Sequence, residues 1–286
     1  MALFELHSRP PIDDPVVLIT YFDGFIDAGG AASAAAQTIL GEQRGDALAT
    51  FDSEALLDYR ARRPVMHLVD GINTRLSWPA IELYLRQDRT GRDILLLIGP
   101  EPDHLWPSFG RAVCDLAMEF DVSLLINLGA YPAATPHTRP PHLTATATSA
   151  ELAHQLGFLR TTIDVPSGIH AVVEHECAAH GIPAIGVWAQ VPHYASSMTY
   201  PAATIALLDG VRGLSGHDFD VSDLSQQAAN VQMHLADLIA RNDEHVQMVR
   251  QLEVQDDMMR QNRSSELPSG DEIAAEVEQF LREQDD

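Results

Sequence analysis

The chain has 286 residues, of which 45% are hydrophobic and 21% charged. At ~150 residues per domain, that length predicts one large domain with an appendage and a core that needs no disulfide staples. Asp and Glu number 41 against 18 Lys and Arg, a formal charge of −23 at pH 7, which argues against duplex nucleic acid and anionic membrane as partners, since both recruit clustered cations.

Val16 to Phe22 is a continuous apolar, β-branched run, the pattern of a strand buried on both faces of a parallel sheet. The loop Asp23-Gly24-Phe25-Ile26-Asp27 follows, and the Ala-rich stretch Ala28 to Leu40 reads as helix. Phe51 to Asp58 and Val65 to Leu68 are short apolar segments whose type the pattern leaves open. Ile94 to Ile98 is a second buried strand, ended by Gly99-Pro100. A helix over about residues 107–120 leads to a third strand, Val122 to Leu128, and then a proline-rich loop, Gly129 to His142. A short helix is expected at Leu152 to Leu156, another at Ile169 to His180, then a strand at Ala184 to Ala189 and a helix over Pro201 to Arg212. This alternation predicts a layered α/β domain. The glycines of Gly210 to Gly216 suggest a hinge. Ser222 to Asn262 lacks Gly and Pro and reads as long helix, with Leu224, Ala228, Val231, Leu235 and Leu238 forming a heptad-like seam that Asn242 and His245 interrupt. That seam either packs on its own domain or joins copies. Asp271 to Glu283 is a final amphipathic helix. The expected units are a core over residues 1–213, a helical extension over 214–263, and a linker with a C-terminal helix over 264–286. No apolar run reaches a membrane span, and the first residues lack a signal-peptide pattern, so a soluble cytoplasmic protein is expected.

All 18 basic residues are Arg. Without lysine there is no P-loop and no Schiff base. Cys114 and Cys177 cannot form a four-thiolate site and read as small buried side chains. His175 and His180 are five apart, which turns the second ring roughly 140° from the first at ~100° per residue, so no zincin pair is present. No cofactor motif and no metal site are expected.

Candidate ligand groups cluster in loops that follow strands, where α/β sheets collect ligands. Asp23 and Asp27 flank a helix start, where an anion could bind or where Asp27 could simply cap the helix. Glu101, beside Asp103 and His104, could do acid–base work or belong to an acidic rim. His137 and Arg139 could hold an anion or stiffen their loop. Ser167 reads as an N-cap or, without the usual elbow, as a nucleophile with no assigned base. His193 lies beyond another strand end and could share a crevice with His170 and Glu174.

With these segments in place, the sequence resembles the proteasome assembly chaperone 2 family, in its actinobacterial branch. The resemblance rests on Phe22-Asp23-Gly24-Phe25 with Asp27-Ala28-Gly29, on Gly99-Pro100-Glu101-Pro102 with Trp106, and on Pro136-His137-Thr138-Arg139-Pro140. It continues through Pro166-Ser167-Gly168-Ile169, Trp188 to Tyr194, and Leu267 to Ile273. Ser167 stands where the family pattern suggests Thr, keeping the hydroxyl. The resemblance implies a three-layer α/β/α domain of phosphorylase/hydrolase-like type with a C-terminal helical extension. It also implies a homo-oligomer, with three the suggested number, and no settled activity. A carboxylate–amine ligase label attached to some members sits poorly with a chain that has no lysine.

Two functions follow. One is a non-catalytic protein-binding or assembly-chaperone-like protein whose partners are itself and possibly another protein. The other is a small-molecule enzyme or ligand-binding protein of hydrolase or nucleoside-phosphorylase type, using the loops at strand carboxyl ends. The second expects Asp23, Asp27, His137, Arg139 and His193 to converge on one pocket.

Overall fold

The computed structural model describes residues 3–12, 15–149, 152–153, 162 and 164–266. The expected helices at Leu152 to Leu156, beyond Ala153, and at Asp271 to Glu283 lie outside the described residues. The strands are β1 (Phe4–Leu6), β2 (Val17–Asp23), β3 (Ala49–Phe51), β4 (Val65–Val69), β5 (Ile72–Ser77), β6 (Glu82–Gln87), β7 (Asp93–Pro100), β8 (Leu124–Ala133), β9 (Leu143–Ala147) and β10 (Ala184–Pro192). The helices are α1 (Ala31–Leu40), α2 (Ser53–Leu56), α3 (Trp106–Glu119), α4 (Ile169–Ala179), α5 (Pro201–Ser215), α6 (Ser222–Ala240) and α7 (Asp243–Glu266).

One eight-stranded sheet runs β1-β3-β6-β7-β2-β8-β10-β9. Its centre, β7-β2-β8-β10, is parallel, while β6, β3, β1 and β9 add antiparallel wings. The sheet is therefore mixed rather than wholly parallel, because only its centre is fully covered by crossover helices. Strand β2 shows why the central run is apolar throughout. Its Val17, Ile19 and Tyr21 face α1 and α5, while Leu18 and Phe22 face α3 and α4. These two cores make a three-layer α/β/α domain.

Several boundaries move. Gly129 to Ala133 pairs with β10 and belongs to β8, not to a loop. The Gly210 to Gly216 segment is no hinge at its start. Helix α5 runs through Gly210 and Gly213 and stops at Gly216, which takes the left-handed cap conformation. The long C-terminal helix breaks at Arg241-Asn242 into an α6/α7 hairpin. Leu235 is buried, and Leu224 and Val231 pack against the α1/α5 core, so this part of the seam is used within the chain.

Gly29 carries a strict requirement. Its φ is +67°, and a Cβ there would lie 2.7 Å from the Cβ of Tyr200. Its N–H donates to Ser196 O at 2.8 Å, and its carbonyl accepts from Tyr200 N at 3.0 Å. Gly29→Ala is expected to lower unfolding stability in urea by at least ~1–2 kcal/mol from the left-handed backbone alone, with the collision adding to it.

Candidate functional site

The carboxyl ends of the four parallel strands carry Asp23, Glu101, Ala130 to Ala133 and His193 along one edge. Asp27 bridges to Ala130, which ties the β2 loop to β8.

Asp27 fills the anion position that the sequence left open. Its Oδ1 accepts from Ala32 N at 2.8 Å and its Oδ2 from Ser33 N at 2.9 Å. Tyr21 OH donates to the same carboxylate at 3.2 Å, and burial with the nearby Asp27 charge raises the phenol above its ordinary range. The first free N–H groups of α1 are thus satisfied from within.

Glu101 does the same for α4. Its Oε1 accepts from Ile169 N at 2.7 Å. Ser167, expected as the cap, is exposed and makes no side-chain cap bond, and Gly168 holds the N-cap position. Asp103 caps nothing catalytic either: it pairs with Arg62 and accepts from Asp58 N at 2.8 Å.

Around β8 and β10 the loop residues meet the C-terminal helices. Arg139 takes a two-pronged grip on Asp257, Nε to Oδ1 and Nη2 to Oδ2 at 2.9 Å each, with Glu253 beside it at 3.5 Å. The hydrogen bond and charge of Arg139 hold Asp257 below the usual carboxylate range. Thr138 donates to Glu253 at 2.5 Å. His142 Nε2 meets Asp256 at 2.5 Å with both side chains 1% exposed, and Arg260 Nε reaches the other Asp256 oxygen at 2.6 Å. The predicted cation of this loop is spent on docking α7.

His137 is buried beside Tyr194, whose hydroxyl accepts from His137 N at 2.8 Å and lies 2.9 Å from Nδ1. The other ring nitrogen, Nε2, is buried with no protein partner among the described residues. Burial lowers the His137 pKa. His137 also lines a cavity of about 270 Å³ with Tyr200, Ile205 and the Ala228 turn of α6. His193 is exposed on a short 3₁₀ turn, edge-on to Tyr194 at 5.3 Å. Asp23 lines a different cavity, with Arg44, Arg62, Arg63 and Trp78. Asp23 and His137 therefore do not share a pocket.

A buried polar cluster lies under the sheet edge. Glu174 Oε1 accepts from Asn127 Nδ2 at 2.8 Å and from Thr146 at 3.2 Å, and Thr20 donates to Asn127. Burial pushes the Glu174 pKa up to about 7, against these two hydrogen bonds. His170 sits between Phe22 and Trp188, and burial pulls its pKa down to about 4. Neither ring nitrogen of His170 finds a protein partner, nor does Trp188 Nε1. His170 and Glu174 thus belong together on α4, as the sequence allowed, while His193 is exposed at the strand end. Among the described residues no group of three or more His, Cys, Asp or Glu side chains could hold a metal ion. Sequence reading missed Arg44, Arg62, Arg63 and Trp78, because nothing local marks residues on separate loops as neighbours.

A family model described as the PAC2 family matches residues 21–239, from the end of β2 to α6. The chain belongs to the PAC2 family. Solved structures share its fold. A Corynebacterium glutamicum protein of unknown function is 30% identical, with a TM-score of 0.83 over 90% of this chain and 97% of that one. A Mycobacterium tuberculosis proteasome-assembly chaperone homologue is 35% identical, with a TM-score of 0.75 over 82% of this chain and 100% of that one. A Pyrococcus furiosus archaeal proteasome activator, 16% identical with a TM-score of 0.64 over 82% and 97% of the two chains, shares the fold. No curated protein matches the chain.

Proposed function

We propose that this PAC2 protein is a non-catalytic, assembly-chaperone-like binding protein that works in the cytoplasm and first assembles with itself. The observation that carries the self-assembly is the β4–β5 hairpin. It turns at Asp70-Gly71, with φ of +51° and +80°, the two-residue turn that suits hairpin twist. Met66 pairs with Leu76 and Val69 with Ile72 across the two strands, while Leu68 points opposite to Val69; Leu68 and Val69 are both more than half exposed, as is Ile72 at 66%. A lone two-stranded hairpin is marginal in water. One that exposes Val65, Met66, Leu68, Val69, Ile72 and Leu76 together forms an apolar patch of the kind that marks an interface. A second copy is the simplest cover, and a closed ring of three is the number the family resemblance suggests.

The non-catalytic reading is supported by how the candidate residues are used. Asp27 and Glu101 cap helices, and Arg139 docks α7. The chaperone role comes from the resemblance to the M. tuberculosis homologue and would extend to a second protein partner. Among the described residues no helix is long and apolar enough to cross a membrane.

Light scattering on the purified chain should give an oligomer, and Ile72→Asp or Leu68→Asp should give a monomer with unchanged helix content. A wild-type monomer, or variants that stay assembled, would remove the hairpin from the interface.

A further inference from the structure

Apart from the Arg62–Asp103 pair, no contact described above uses the cavity at Asp23. It measures about 430 Å³, within the ~300–1,000 Å³ of small-molecule sites. It opens where the carboxyl ends of β2 and β7 meet the foot of the β4–β5 hairpin. We propose that this cavity binds a small aromatic oxyanion, its phosphate or carboxylate taken by Arg44 and Arg63 and its ring laid on Trp78.

Charge is the first argument. In a chain at −23 with 18 arginines, three line this one cavity. Arg62 is already committed: it pairs with Asp103, and its Nη2 lies 2.6 Å from where a Cβ of Gly24 would stand. It is a fixed positive charge against the end of β2, which only glycine there permits at φ +141°. Among the described residues neither Arg44 nor Arg63 forms an ion pair, although the Asp23 and Glu82 carboxylates line the same space. Two guanidinium groups free of carboxylate partners offer the fork geometry that oxyanions take.

Their backbones are held. Arg86 Nε donates to Leu40 O at 2.8 Å, and its guanidinium also reaches Arg44 O, which pins the loop after α1. Ala61 N and Arg62 N each donate to Asp58 O at 2.9 Å just before Arg63. Less ordering entropy is then lost on binding.

The ring preference comes from Trp78. It is 53% exposed, and Tyr59 meets it edge-on at 4.7 Å, bracing the indole while leaving area for stacking. Asp23 and Glu82 limit the ligand to one compact anionic group, because a polyphosphate would lie against their charge.

The test is titration of the full chain by calorimetry and tryptophan fluorescence with phenyl phosphate, benzoate, inorganic phosphate and phenol. Phenyl phosphate or benzoate should bind saturably, at least about ten-fold tighter than phenol, and more weakly as salt rises. Which of the two binds tells phosphate from carboxylate. Arg44→Ala and Arg63→Ala should each weaken binding about ten-fold or more at unchanged melting temperature. Trp78→Ala should remove the advantage of phenyl phosphate over inorganic phosphate. No saturable binding by either aromatic anion at ~10 mM, or undiminished affinity in both arginine variants, would overturn the proposal.

Discussion

Glu174→Gln should stabilise the fold progressively as pH rises from 4 to 8. Glu174 is 7% exposed, and among the described residues no cation pairs with it: Asn127 and Thr146 donate to its Oε1. Its folded pKa of about 7 lies above the ordinary 4.5. A raised pKa means the unfolded chain releases the proton first. The stabilising contribution is complete below pH 4.5 and is lost as pH climbs through 7. The loss is about 3 kcal/mol, at ~1.4 kcal/mol per unit. Glutamine keeps an acceptor for Asn127 and Thr146 without the ionisation. The stability difference between variant and wild type should therefore grow by about 3 kcal/mol between pH 4 and pH 8 in urea melts. Parallel curves for the two proteins would refute the assignment.

The variant should also expose a hidden slope. His170 has the opposite linkage: its folded pKa of about 4 lies below the ordinary 6.5. Its contribution is present above pH 6.5 and lost as pH falls towards 4. In the wild type the two groups oppose each other between 4.5 and 6.5 and flatten the profile. With Glu174 silenced, stability should fall on acidification through that window.

The second large effect is at α7. Asp256 is 1% exposed and serves both His142 and Arg260. Removing one member of a buried, hydrogen-bonded ion pair costs ~3–5 kcal/mol. Asp256→Ala should therefore release α7 from the 134–142 loop and strip its amides of hydrogen-exchange protection. Arg139→Ala is the contrast. Its partners Asp257 and Glu253 are 48% and 26% exposed, and Arg139 itself is 32% exposed. Screened, solvent-exposed pairs of that kind contribute little to stability, so α7 should stay protected. The reverse order of effects would show that the arginine fork, not the buried aspartate, holds the helix.

The sequence alone determined the layered domain. Ile94 to Ile98 is apolar at every position and Val16 to Phe22 at all but Thr20, and only strands covered on both faces tolerate that. Within the stretches read as helix, Ala31 to Leu40 folds as α1 and Ile169 to Ala179 as α4, while Ala28 to Gly30 forms a 3₁₀ turn with Gly29 and Gly30 at positive φ. Glycine, proline and acid punctuation marked the Asp23 to Asp27 loop, but it ended two strands too early, since β7 runs through Gly99-Pro100 and β8 through Gly129 to Ala133. The Asp70-Gly71 turn was equally local, and a hairpin over Val65 to Ser77 could have been read from it.

The tertiary structure decided what those loops do. Whether Asp27 holds an outside anion or the start of α1 depends on where Ala32 N and Ser33 N point. The partners of Arg139 and His142 lie more than a hundred positions away, and a chain rich in acids gives no local clue to which one is chosen. Arg44, Arg63 and Trp78 share a cavity only because β6 and β7 bring their loops beside the end of β2. Burial likewise sets Glu174 and His170 on opposite sides of their ordinary pKa values, since desolvation disfavours whichever form is charged, and no spacing rule carries that information.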